Sequence, residues 1–98
     1  MENDFVHKGM LWKFCEKTEN KFGTTKYIYK FNKFTLSKIN NNYASGRINY
    51  TIDNSLNNVS LSLITENPEE ALSCFIDTCS SINCVLDYRL TILENKHE

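Results

Sequence analysis

The chain is poor in the residues that build nucleotide and metal sites. It has three glycines, one proline and two histidines among 98 residues. Gly9, Gly23 and Gly46 are scattered, so no glycine-rich loop exists to cradle a phosphate. No apolar run approaches the ~18 residues of a membrane-spanning helix, so no membrane association is expected. The first eight residues carry early acids and no apolar stretch of the kind a secretory leader needs. A reducing, cytoplasmic setting is therefore the expectation, with the thiols free. At 12% aromatic and 23% charged, with a net charge of −1, the chain is not a disordered acidic or basic tail. Its length suits one domain, taken as 1–98, with 1–8 and 94–98 as frayed ends.

The small net charge hides an asymmetry. Residues 1–47 carry nine bases against four acids, and residues 66–98 carry seven acids against two bases. Asparagine is the other bias, with 13 copies, most of them between or beside apolar runs. There Asn acts as turn punctuation, because it tolerates left-handed backbone and bonds nearby amides.

Alternation of apolar and polar residues marks the strands. Met10 to Lys17 places Met10, Trp12 and Phe14 on one side and Leu11, Lys13, Cys15 and Lys17 on the other. A turn follows at 19–23. Thr25 to Ile39 reads as one long β segment whose inward set changes parity, from 27/29/31 to 34/36. That change predicts a bulge near Asn32 or Lys33. Asn40, Asn41 and Asn42 read as a hairpin turn. Arg47 to Asp53 and Val59 to Leu63 supply two more strands, each with one polar side, as in an antiparallel sheet wet on one face.

Asn67-Pro68-Glu69-Glu70 is the strongest local signal. Asn caps a helix, Pro suits its first position, and acids in the first turn favour the dipole. Over 67–82 one arc carries Ala71, Leu72, Phe75, Ile76, Cys79 and Ile82. The other carries Glu66, Glu69, Glu70, Ser73, Asp77 and Ser80. The tail returns to period two, with Leu86, Tyr88, Leu90 and Ile92 against Asp87, Arg89 and Thr91, and predicts a last strand over 84–93. The expected fold is α+β: a four-stranded antiparallel meander, one amphipathic helix and a fifth strand, β-β-β-β-α-β. The expected core is Trp12, Phe14, Tyr29, Phe31, Ile48, Tyr50, Ile52, Val59, Leu61, Leu63, Leu72, Phe75, Ile76, Leu86, Tyr88 and Leu90.

No pattern amounts to catalytic chemistry, and the chain is expected not to be an enzyme. The spacing of Cys74, Cys79 and Cys84 is Cys-x4-Cys-x4-Cys, not the close pairing zinc prefers. They and Cys15 read as small apolar residues, with a Cys15–Cys84 disulfide as the alternative under export. A thiol nucleophile needs a base, and only His7 and His97 are available, both near the ends. The helix acids sit on a solvated face rather than in the sheltered site that proton transfer needs. No cofactor, metal or small-molecule substrate is expected. Lys26, Lys30 and Lys33 interleave with Tyr27, Tyr29, Phe31 and Phe34, as in single-strand binders. Their parity separates aromatics from lysines, however, so nucleic acid is the weaker reading.

A small single domain without a site usually works by presenting a surface. In size, Asn and Lys content and acidic helix, the chain is similar in kind to small immunity and inhibitor proteins of bacteria and phages. That resemblance implies binding and neutralising another protein, most concretely a toxin, such as a nuclease, with a basic surface. A phage-type inhibitor of a bacterial defence protein is the close alternative. The expected contact residues are Glu66, Glu69, Glu70, Ser73, Asp77, Asp87 and Glu94.

Overall fold

The computed structural model describes residues 3–41, 47–54, 56–78 and 83–96, with residues 83 and 94–96 described by their backbone alone. The elements are β1 (Phe5–His7), β2 (Met10–Glu19), β3 (Thr24–Phe31), β4 (Phe34–Asn41), β5 (Ile48–Asp53), β6 (Asn58–Leu63), α1 (Pro68–Thr78) and α2 (Asn83–Lys96). The six strands form one antiparallel sheet in chain order, curled into a half-barrel. Both helices follow the sheet and pack on its inner face, so the expected order of four strands, a helix and a fifth strand is wrong.

Two local misreadings account for the strands. The parity change between Phe31 and Phe34 is not a bulge. Asn32 and Lys33 form a two-residue hairpin turn, with Phe31 paired to Phe34 and Asn32 at φ 55°. The predicted single segment over 25–39 is therefore two strands. The bulge lies elsewhere, at Cys15: Phe14 faces Tyr29 and Glu16 faces the next residue, Ile28. One extra residue reverses the parity of everything after it. Lys17 and Glu19 consequently share the face of Tyr27 and Thr25 and pair with each other at 3.2 Å. Asn40 and Asn41 are extended in β4, opposite Thr25 and Thr24. Asn42 lies outside the described residues.

A further strand precedes the predicted set. Phe5, Val6 and His7 pair with Trp12, Leu11 and Met10. The connection is Lys8-Gly9, both at positive φ (50° and 82°), as the mirror-image hairpin turn requires. Gly supplies that conformation without strain, and Lys8 adopts it at a small steric cost.

The predicted C-terminal strand is helix α2. Its buried residues are Cys84, Val85, Tyr88 and Ile92, at helical spacing, whereas Leu86 and Leu90 are exposed rather than core. The tail is rich in β-branched and aromatic residues that also alternate with charge, so local propensity misleads. Tertiary demand overrides it. An apolar inner face six strands wide needs more cover than the 11-residue α1 can give. The predicted helix over 67–82 is seen as α1, and Cys79 and Ile82 lie outside the described residues.

The core is strongly aromatic. Trp12, Tyr29, Tyr50, Tyr88, Phe34 and Phe75 are all at most 1% exposed. Trp12 meets Phe5, Phe31 and Tyr88 at centroid distances of 6.0, 5.7 and 5.8 Å. Tyr88 meets the ring of Phe34 edge-on at 5.5 Å. Such pairs add about 0.5–1.5 kcal/mol each beyond the area they bury. Together they clamp α2 to β2 and β4. Of the remaining expected core, Phe14, Phe31, Leu61, Leu63 and Ile76 are half-buried against this cluster.

Candidate functional site

The acidic start of α1 is fixed from both sides. Locally, the Asn67 Oδ1 accepts the Glu69 N–H at 2.9 Å, which caps the helix as its sequence predicts. The Thr65 Oγ1 accepts the Asn67 N–H at 3.2 Å and donates to Glu70 Oε2 at 3.2 Å. From below, the sheet holds the two preceding carbonyls. Tyr50 Oη donates to Thr65 O at 2.7 Å, and Lys38 Nζ donates to Glu66 O at 3.1 Å. The side chains that present Glu66, Glu69 and Glu70 are thus set on a braced backbone.

Lys38 is fully buried on the inner face, in line with Phe34 and Leu36. Its ammonium lies 5.5 Å from the centre of the Tyr27 ring. Burial holds its pKa below the ordinary lysine value, and nearby Glu66 pulls the other way. Sequence reading stopped the inward set at Leu36. Continuing the period by one step would have placed Lys38 inside.

The predicted contact residues do not all stand together. Glu66, Glu69, Glu70 and Asp77 are exposed, on one side of α1, and make no salt bridge among the described residues. Ser73 is half-buried at the margin of that face and turns toward the sheet, its Oγ 3.5 Å from His7 Nε2. Asp87 stands apart, on α2. It accepts from Asn54 Nδ2 at 3.1 Å and lies 3.7 Å from Lys33 Nζ, tying α2 to two turns of the sheet. Glu94 belongs to α2, and its side chain lies outside the described residues.

Sequence reading missed a polar cluster around His7. His7 Nδ1 is 2.7 Å from Tyr88 Oη, which also receives the Trp12 Nε1–H at 3.2 Å. Indole is a donor only, so the Tyr88 oxygen accepts from Trp12 and can give its own proton to His7. In that arrangement Nδ1 is the acceptor and the His7 proton sits on Nε2, toward Ser73. In this tautomer His7 donates to the Ser73 hydroxyl; in the other, Nε2 accepts from it. Burial, then Lys8, hold the His7 pKa below its ordinary value, while Glu69 opposes them. Burial raises the pKa of Tyr88. The signal that could have found the cluster is Phe-Val-His followed by Lys-Gly, a short alternating run ending in a turn pair.

The described cysteines Cys15, Cys74 and Cys84 are free. Cys84 is buried, and burial, with Asp53 and Asp87 next, pushes its thiol up to about 11. Among the described residues no three His, Cys, Asp or Glu side chains stand close enough to hold a metal ion. No helix among them is long and apolar enough to cross a membrane. On β3, Lys26 and Lys30 point to the outer face, and Tyr29 is buried on the inner one. Lys26 and Lys30 thus stand on the opposite face of β3 from Tyr29, while Lys33, in the turn, lies 5.9 Å from the centre of the Phe34 ring.

No protein-family model matches the chain, and neither a search of curated proteins nor one of solved structures found a significant match.

Proposed function

We propose that this protein acts by binding another protein and blocking it, most concretely as an immunity protein that neutralises a toxin with a basic, nuclease-like surface. The observation that carries this reading is the row Glu66, Glu69, Glu70 and Asp77. These carboxylates are exposed on one side of α1 and make no salt bridge among the described residues. A row of like charge attracts a surface of opposite sign and speeds encounter with it. The bracing of the helix start by Lys38 and Tyr50 supports the same reading, since a rigid face loses little freedom on binding. Asp87, on α2, stands apart from this row and is engaged by Asn54 and Lys33.

The test is tagged capture from the native source, identification of bound protein by mass spectrometry, and a nucleic-acid assay of the same eluate. Association kinetics with the captured partner follow, at two ionic strengths. Reversal of Glu70 and Asp77 to Lys slows association and weakens its salt dependence, with a small loss of Tm because Glu70 accepts from Thr65 in the first turn of α1. Unaltered kinetics in that double variant would remove the acidic face from the proposal. Nucleic acid retained without a protein partner would replace the proposal altogether.

A further inference from the structure

The surface around the far end of α1 has the opposite character from its start. A groove of about 330 Å³ runs between α1, α2 and the β1–β2 turn. Ile76, Ile92 and Leu93 give it an apolar floor, and Lys8 and Arg89 supply two cations. Neither cation makes a salt bridge among the described residues. The apolar surface continues outward along α2, where Leu86, Leu90 and Leu93 are 39%, 57% and 53% exposed at helical spacing. An open groove of this kind covers too little of a small ligand to hold one, since small-ligand sites bury most of the ligand's surface. Its occupant has to bring a surface of its own, with an apolar anchor and negative charge beside it.

The chain itself carries such a surface. Ile64, just after β6, is 80% exposed, and Glu66, Glu69 and Glu70 follow within six residues. Seven residues, about 10 Å along the helix axis, separate Glu69 from Ile76 at the groove. The acids Glu69 and Glu70 thus stand at the start of α1, while Lys8 and Arg89, from the β1–β2 turn and α2, line the groove near its far end.

We propose that a second copy of this chain docks on the groove, with the two α1 helices antiparallel across a twofold axis. Glu69 and Glu70 of each copy face Lys8 and Arg89 of the other, and Ile64 seats against Ile76 and Leu93. Antiparallel pairing repeats the same contact twice and closes the assembly, as a twofold dimer must. A parallel pairing would set acids against acids. Asp77, next in the chain to Ile76, reduces the positive charge at that end. The surface involved is small, so the dimer is weak and concentration-dependent. The inference does not rest on the inhibitor function, because it is measured on the protein alone. The two readings share Glu69 and Glu70, so a basic partner would have to displace the second copy.

The experiment is sedimentation velocity of the full chain over a concentration series. It is run at low salt and at about 1 M salt, where the screening length falls to about 3 Å. The wild type forms a species of twice the 11.4 kDa chain mass, and salt dissociates it. The variant Lys8→Asp with Arg89→Glu weakens self-association about tenfold or more, as does Glu69→Lys with Glu70→Lys. Asp is used at position 8 because it tolerates the left-handed backbone there. An equimolar mixture of the two variants restores the dimer, since both of its contacts are then complementary. Circular dichroism confirms that each variant is folded. A wild type that stays monomeric overturns the proposal. So does a dimer unaffected by either variant, as one built on the β6 edge would be, and so does failure of the mixture to recover.

Discussion

Lys38 and Tyr50 stand directly opposite each other on β4 and β5 and hold consecutive carbonyls, Lys38 that of Glu66 and Tyr50 that of Thr65. A single cross-strand pair thus fixes where the sheet hands the chain to α1. Buried ammonium and phenol groups are costly unless bonded, and these carbonyls just ahead of the helix are their acceptors.

Lys38→Ala orphans the Glu66 carbonyl and leaves a void under the helix start. It destabilises by about 2–4 kcal/mol in urea unfolding. Lys38→Met keeps most of the volume and costs less. In both variants hydrogen exchange at the first turn of α1 speeds up. Unchanged exchange there would show that the local Asn67 cap suffices without the sheet.

Tyr88→Phe removes the one oxygen that both Trp12 Nε1 and His7 Nδ1 use. Two buried polar groups lose their partner at once. The expected loss is about 2–3 kcal/mol, read from the denaturation midpoint. A loss below about 0.5 kcal/mol would mean that water replaces the phenol.

His7 makes stability depend on pH in the acid direction. Burial lowers its folded pKa below the 6.5 of the free side chain. The unfolded chain therefore binds the proton first, and unfolding is favoured once protons are available. The contribution of His7 is complete above about pH 6.5 and falls away as pH drops through the lowered folded value. Protonation also turns Nδ1 into a second donor aimed at the Tyr88 oxygen. Tm measured from pH 7.5 to 5 declines in the wild type and declines less in His7→Gln. Equal slopes would assign the acid sensitivity to other groups.

The helical character of 83–96 is separable from a strand by two substitutions. Leu90→Glu lies on the exposed side of α2 and changes stability by about 0.5 kcal/mol or less. Val85→Asp puts an unpaired carboxylate into the core and costs several kcal/mol, enough to unfold a small domain. In a strand with Leu86, Tyr88 and Leu90 inward the ranking would reverse.

Locally encoded features were legible in the residues themselves. The strands around Met10–Lys17, Arg47–Asp53 and Val59–Leu63 follow from period-two patterns that one wet face imposes, and α1 follows from its Asn-Pro-Glu-Glu start. The acids on its exposed side followed from the same wheel. Other features depend on what a residue meets far along the chain. Asn32-Lys33 turns rather than bulges because β4 must return along β3, and the bulge goes to Cys15 instead.

The sequence by itself determined the sheet-forming runs, the capped acidic helix and the separation of lysines from aromatics on β3. Each depends on neighbours within a few residues, where spacing dictates which face a side chain takes. Only the tertiary structure decided that the tail is a helix, because its alternating apolar residues satisfy a strand equally well until an uncovered sheet has to be closed. It alone decided that His7, Trp12, Ser73 and Tyr88 meet, and that Lys38 reaches the start of α1. Those contacts join residues far apart in sequence, and desolvation makes them obligatory only after the core has formed around them.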